Sequence, residues 1–427
     1  MKTLFVFDRP LLPSRGGAEV RALRHLEYLE KRKIRYDLFL VDRYNNYQQW
    51  NKTELNRIKE RGAEEVFLHR AIGKHPDVFY RQFMSGFSLL SGYLPDAAHP
   101  IHALPGMVQH FRQVIEKQSY DFIFFNHTYV SGALLRHVQI PCRTVIDTHD
   151  IYANLLKEMS SIKQTRQIDA LPKGTPIAKK VRHQIYHRLS SFKLDYEASL
   201  QRELTLLLKF NRIIAIAPEE LTLFQQHPEL RSKTHFVPMM APLIFSNHPA
   251  ITVSKGFHLL FIGSQYEPNV EAIRQFCDRV LPHLGDTVYL CLAGGVSLVD
   301  SLPCHPRLKR LGIIENLDEL YAAVDAVILP LSFGSGVSVK AVEAFGYGKP
   351  VVATPKGVRG LSVHHGEEVL LAETVDDFIP LIEQLIRQPS LRESLSQRAV
   401  SYIQQAHSQK AVFKAMDAVI FHQDDLK

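Results

Sequence analysis

Residues 333–354 read FGSGVSVKAVEAFGYGKPVVAT, and their order is that of an anion site. A Gly334-Ser335-Gly336 turn follows the apolar run Ala326–Leu331 and opens a helical stretch that carries Lys340 and Glu343. Gly348 closes that stretch before the strand-like Pro350–Thr354. A glycine turn entering a helix leaves backbone N–H groups unpaired and pointed at whatever lies beyond, which suits a phosphate. Lys340 can add a full positive charge. Glu343, three residues on, shares its helix face and can accept hydrogen bonds from sugar hydroxyls. Phosphate at the turn and ribose at the carboxylate together suggest a nucleoside diphosphate.

Such a turn needs a strand before it and a helix after it, and the chain supplies many. Strand-like runs at Thr3–Phe7, Tyr36–Val41, Asp121–Phe125, Thr144–Ile146 and Arg212–Ile216 alternate with helical patterns such as Ala18–Lys31. The alternation restarts near residue 257. Strands are expected at His258–Ile262, Val288–Ala293 and Ala326–Leu329, and helices over Asn269–Leu284 and Leu317–Ala323. Strands separated by helices imply doubly wound parallel sheets, hence an α/β chain of two Rossmann-like domains. The Pro-rich stretch Phe236–Gly256 reads as their connection. The expected division is 1–245, 246–410, and a helix at 411–427 with the option of packing back on the first domain. The tail from Asp376 to His422 looks helical throughout.

With 427 residues the chain is long enough for two domains, and 45% hydrophobic with 22% charged residues is a soluble composition. No uninterrupted apolar run is long enough to span a bilayer, and the N-terminus reads as a buried strand, not a signal peptide. Four scattered cysteines (Cys142, Cys277, Cys291, Cys304) fit a reduced, cytoplasmic setting. The formal charge of +7 fits an anionic membrane surface, a phosphorylated substrate, or a modest basic excess with no specific partner. No nucleic-acid module is recognisable. Aromatic residues at Phe79, Tyr80, Phe83 and Phe87, and basic ones from Lys179 to Lys193, fit either a helix lying on a membrane or an ordinary solvated one. His364-His365 have no metal partners at ligand spacing and read as loop residues.

In open α/β sheets ligands bind beyond the carboxyl ends of the strands. After the first strand come Arg15, Gly16 and Gly17, a glycine loop opening a helix. After Thr144–Ile146 come Asp147-Thr148-His149-Asp150, a titratable cluster. In the second half the strand ends carry Gly263-Ser264, Gly294-Gly295 and the Gly334–Val337 turn. Two such domains facing each other would form a cleft with glycine turns on both walls.

These stretches, in this order, closely resemble the family 4 retaining glycosyltransferases of GT-B architecture, also called glycosyltransferase group 1. The match runs from Leu259 to Thr354, through Phe261–Ser264, Glu267–Ala272, Leu292–Gly295, Leu311–Tyr321 and Asp325–Thr354. It is thinner at Gly16–Glu19, Asp147–Asp150 and Ile214–Glu220. The resemblance implies transfer of a sugar from a nucleotide-diphosphate sugar to a glycan, lipid-linked or other hydroxyl acceptor. The anomeric configuration is retained by front-face attack, without metal and with no cofactor beyond the donor. Carried over by position, Glu343 holds the ribose and Lys340 meets the diphosphate. The backbone of Gly334, Ser335, Gly336 and Val337 cradles phosphate and donor sugar. Ile313 marks where the base is read, with Gly263 and Ser264 nearby. Gly16 and Gly17 approach the diphosphate and acceptor, and His149 the donor sugar. The basic and aromatic stretches of the first half, not the resemblance, extend this expectation to a lipid-linked or cell-envelope glycan made by a cytoplasmic enzyme at the inner membrane face.

The chain departs from that pattern at three places. Ser335 stands where the paired-glutamate motif has its first glutamate, Ser338 where an arginine is frequent, and Gln265-Tyr266 where many members carry an arginine–lysine pair. Phosphate charge therefore falls on Lys340, with Arg15 as a candidate supplement. A sugar-nucleotide epimerase, a phosphorylase and a catalytically silent nucleotide-sugar-binding subunit are the alternative readings.

Overall fold

A computed structural model describes residues 1–9, 11–12, 16–42, 52–71, 75–91, 95–165, 194–242, 255–314 and 316–421. The chain forms two compact units. The first comprises Met1–Ile216 and Glu220–Phe236, the second Ala217–Glu219 and Val237–Lys427.

The first unit is built on a seven-stranded sheet. Its strands are β1 (Lys2–Phe7), β2 (Arg35–Asp42), β3 (Ala63–Arg70), β4 (Phe122–Asn126), β5 (Arg143–Asp147), β6 (Arg212–Ala215) and β7 (Thr234–Phe236). They lie in the order β3-β2-β1-β4-β5-β6-β7, all parallel. Helices cover both faces, so the central strands carry almost no polar side chains. Leu4 to Phe7 and Phe122 to Phe125 are fully buried, and Phe5 stacks on Phe124 at 5.2 Å between centroids. The order reverses between β1 and β4, the switch point at which adjacent loops diverge and leave a crevice.

The second unit repeats the plan with β8 (Phe257–Ile262), β9 (Val288–Ala293), β10 (Leu308–Arg310), β11 (Ala326–Leu329), β12 (Val351–Ala353) and β13 (Leu370–Leu371). The order is β10-β9-β8-β11-β12-β13, again parallel, with the switch between β8 and β11. The α/β, doubly wound architecture expected of the sequence is therefore the observed one.

One helical expectation is corrected, and the helical tail is resolved into its pieces. The stretch Asn269–Leu284 is not one helix: it runs Glu267–Arg279 and then makes a 3-10 turn at Leu281–His283, because Pro282 has no N–H to continue the ladder. The tail is three helices, Phe378–Arg387, Pro389–Ala406 and Gln409–Ile420. The first break precedes Pro389, whose ring disfavours a helical Gln388. The second is set by Ser408, whose Oγ accepts from Ala411 N at 3.3 Å as an N-cap.

Candidate functional site

In the second unit the chain leaves β11 through Gly334–Ser338 and enters the Val339–Gly346 helix. Gly334 has φ 144 and Gly336 φ 64, the left-handed region that L side chains resist, so both glycines are needed for the turn's path. Ser338 sits at the N-cap. Its side chain makes no capping bond, and its buried Oγ has no hydrogen-bond partner among the described residues. A buried hydroxyl left unpaired at a helix N-terminus is a group held ready for a ligand oxygen.

Lys340 lies in the first turn of that helix, with Nζ 5.8 Å from the centre of the Phe261 ring on β8. The ammonium is thus at the β8/β11 switch point. Burial pushes it down to about 8; Arg359 adds to the fall and Glu343 opposes it. Glu343 follows one turn later, partly exposed. Behind it Tyr321 and Tyr347 stack at 4.1 Å, and Tyr347 Oη donates to Asp318 Oδ1 at 2.7 Å.

Arg359 was not among the residues singled out from the sequence, yet it is part of this site. It follows β12 and its Nε donates to the Ser335 carbonyl at 2.8 Å. Its own carbonyl accepts from Ser338 N at 3.0 Å. A Cβ on Gly334 would lie 2.8 Å from the guanidinium carbon, and one on Gly360 2.7 Å from Val337 Cγ2. The segment after β12 is therefore moulded against the glycine turn.

The other predicted donor residues gather at the neighbouring strand ends. Gly263 N donates to Ala293 O at 3.1 Å, Val296 N donates to Gly263 O at 2.9 Å, and Gly294 N donates to Gly312 O at 2.7 Å. A Cβ on Gly294 would come within 2.6 Å of the Gly263 carbonyl oxygen, which gives that glycine a packing reason. The Ser264 carbonyl accepts from Asn269 Nδ2 at 3.1 Å. Ile313, next to Gly312, is 65% exposed, an unusual state for isoleucine and a free apolar face.

In the first unit three consecutive sheet strands end in polar groups. β1 is followed by Asp8, β4 by His127 and β5 by Thr148 and His149. His149 is buried, with φ 57. Its Nε2 lies 2.8 Å from Asn126 Oδ1, and Asn126 Nδ2 donates to Val6 O, so Nε2 carries the hydrogen. Burial holds its imidazole well below the ordinary histidine range, with Asp147 opposing and His127 reinforcing. His149 is neutral at neutral pH.

His127, which sequence reasoning passed over, stacks on His149 at 4.4 Å, and its Nδ1 is 2.9 Å from Asp8 Oδ1. Burial would raise Asp8, but Arg9 and His127 outweigh it and hold the carboxyl well below its usual range. At the same strand end Asp147 binds Arg21 Nε at 2.6 Å and His25 Nε2 at 2.5 Å. Gly16 is the N-cap of the Gly17–Lys31 helix, in an extended conformation open to any residue, and Gly17 opens that helix. Arg15 and the basic stretch Lys179–Lys193 lie outside the described residues.

Two groups of potential metal ligands occur among the described residues, each with ligand atoms within 4.8 Å of one another. One is His69, His75 and Asp77. The Asp77 oxygens there accept from Gly106 N at 2.8 Å and Met107 N at 3.1 Å, capping the Pro105–Lys117 helix, and one also meets His69 Nε2 at 2.8 Å. The other places His364 with Glu367 and Glu368 on an exposed loop. This corrects the expectation that His364 has no partners at such spacing, since a tight turn brings together residues that the sequence separates by three and four.

Residues 256–388 match the family described as "Glycosyl transferases group 1". The chain resembles the group 1 glycosyltransferases and has the GT-B fold. The matched segment holds all of the second-unit site. Among solved structures, sucrose-phosphate synthase from Thermosynechococcus elongatus aligns at 15% identity and TM-score 0.66, over 100% of both chains. Anabaena HepE, in complex with UDP and glucose, aligns at 16% identity and TM-score 0.61 over 99% of both. TarM of S. aureus, whose complex contains UDP, aligns at 9% identity and TM-score 0.60, over 98% of this chain and 99% of that one. At such identities the likeness establishes the GT-B fold. A search of curated protein sequences gives no match.

Proposed function

We propose that this protein is a retaining glycosyltransferase that moves a sugar from a nucleotide-diphosphate sugar to a hydroxyl on a glycan or lipid-linked acceptor. One observation carries the reading. A glycine turn, an uncapped helix N-terminus, a lysine and a glutamate one turn apart lie in that order at the switch point of the group 1 segment. Backbone N–H groups and Lys340 stabilise the diphosphate as it departs, where charge grows most in the transition state. Glu343 accepts from the ribose hydroxyls. Ile313 offers an apolar face to the base. Retention follows from attack on the face the diphosphate leaves, with a phosphate oxygen taking the acceptor proton, so no side-chain general base and no metal is called for.

His149 and His127 would present imidazoles to the sugar or acceptor. Among the described residues no helix is long and apolar enough to cross a membrane. Phe79 and Phe83, 60% and 72% exposed and one turn apart, support peripheral contact of a cytoplasmic enzyme with an anionic membrane face.

Ser335 favours a second reading, a silent nucleotide-sugar-binding subunit, because no carboxylate stands there to hold the donor sugar. One experiment separates the two. The purified protein is incubated with a panel of nucleotide-sugars, starting with UDP-glucose since HepE has been solved with it. Slow release of nucleoside diphosphate supports the transferase, and binding without release supports the silent subunit. Failure to bind any member of the panel would reject both.

A further inference from the structure

We infer that Arg359 supplies the second positive charge of the diphosphate site, delivered from the end of β12 to replace the basic side chains missing at 338 and at 265–266. The inference rests on the nucleotide-sugar reading above and deepens it by assigning the phosphate contact.

The argument begins with charge. A diphosphate brings at least two negative charges, and side-chain cations that meet it are shorter-bonded and stronger than neutral donors. On the switch-point turn itself Lys340 is the one basic residue between Gly334 and Glu343. The residues following β8 are Gly263, Ser264, Gln265 and Tyr266, none of them basic. In a parallel sheet, however, the carboxyl ends of neighbouring strands open on one edge, and β12 is the neighbour of β11. The loop after β12 therefore reaches the same place as the turn after β11.

Arg359 arrives there with a defined geometry. Nε is tied to Ser335 O at 2.8 Å and Nη1 to Lys356 O at 3.0 Å, so the guanidinium plane is held by two carbonyls. Its carbon occupies the space a side chain at 334 would fill. Ser338 hydrogen-bonds through its N–H to the Arg359 carbonyl and leaves its Oγ unpaired and buried. The fork geometry of a guanidinium suits two phosphate oxygens at once. The nearness of the two cations is also seen in Lys340, whose ammonium is lowered by burial and further by Arg359. Such repulsion without ligand is relieved by a bound dianion, which makes the pair selective for diphosphate over uncharged compounds.

The test measures UDP, UMP and uridine binding to the full chain by calorimetry, with wild type, Arg359→Met and Arg359→Lys. Loss of one charged contact is expected to weaken UDP by about 10- to 100-fold. UMP should lose less and uridine nothing, while Arg359→Lys, which restores the charge without the fork, should recover part of the UDP affinity lost in Arg359→Met. A bracing role alone would weaken all three ligands alike and would not be rescued by lysine; either result overturns the inference. Unchanged UDP affinity in Arg359→Met also overturns it, while leaving the nucleotide-sugar reading standing. If wild type binds no nucleoside diphosphate, UDP and ADP both tried, that reading falls and the inference with it.

Discussion

His127 and His149 lie ring on ring, 4.4 Å between centroids, and each holds a positive φ, 60 and 57. Non-glycine residues in that region cost of the order of 1–3 kcal/mol and persist only where their surroundings impose them. The pair closes the carboxyl ends of β4 and β5, with Asp8 of the β1 end against His127. If the conformation is strained, His127→Gly should be more stable than His127→Ala by about 1 kcal/mol, since both lose the ring and only one keeps the Cβ. Chemical denaturation of the two variants checks this, and equal stability would refute the strain. Both variants should also lose turnover by about 10²-fold if the ring meets substrate.

Lys340 makes the second prediction. Its ammonium, lowered to about 8 by burial and by Arg359, is partly deprotonated at pH 8.5 in the free protein. A bound diphosphate favours the charged form and raises it. UDP binding at pH 8.5 should therefore take up a fraction of a proton, and affinity should fall as pH rises through 8. Calorimetry in buffers of different ionisation enthalpy measures the uptake, and Lys340→Met should abolish it. For Lys340→Ala a loss of about 10²-fold in rate is expected, the size typical of one electrostatic donor to a developing charge. Wild-type turnover in that variant would remove Lys340 from the site.

Glu343 makes the third. A carboxylate that holds the ribose should discriminate UDP from 2′-deoxy-UDP, because a site built for a hydroxyl is left unpaired without it. Wild type should prefer UDP by at least about tenfold. Glu343→Ala should bind both with the same, weaker affinity. Retention of the preference in that variant would move ribose recognition elsewhere.

The architecture was legible where strands are buried on both faces. β1, β2, β4, β5, β8, β9 and β11 appear within a residue or two of their apolar runs, because a fully covered strand has no polar alternation to confuse it. β3 escaped notice. It is an edge strand with Glu64 and Glu65 exposed, so its sequence is half solvent-facing. β7, β10 and β13 are three, three and two residues long, too short for any period to register.

The site followed a similar rule. Lys340, Glu343 and the Gly334–Gly336 turn were readable because they are contiguous. Arg359 and His127 were missed although each directly follows a strand or its short turn. Their positions come from sheet order, which brings the β12 end beside the β11 end and the β4 end beside the β1 end. Order is a long-range property that local spacing does not carry.

The last prediction concerns stability against pH in the first unit. Asp8 and Asp147 are held well below 3.8, in each case because neighbouring cations outweigh burial. A lowered carboxyl adds stability that is present above its unfolded value and lost as pH falls through the folded one, so these two oppose acid. Glu203 and Glu220 behave the other way. Burial raises them from 4.5 to about 7 and about 8. Their contribution is complete below 4.5 and is lost as pH rises through 7 and 8. The first unit should thus be most stable near pH 4 to 4.5, above the unfolded value of the aspartates and below that of the glutamates, and each raised carboxyl should cost at most about 1.4 kcal/mol per pH unit as pH rises from 4.5 to its folded value. Glu220 accepts from Ile216 N at 3.2 Å and from Thr148 Oγ1 at 3.4 Å, contacts that a glutamine oxygen can keep. Glu220→Gln should therefore flatten the alkaline limb and make the β6 amides exchange more slowly than in wild type at pH 8.5, after correction for intrinsic rates. An unchanged alkaline limb would show that Glu220 is ionised at neutral pH.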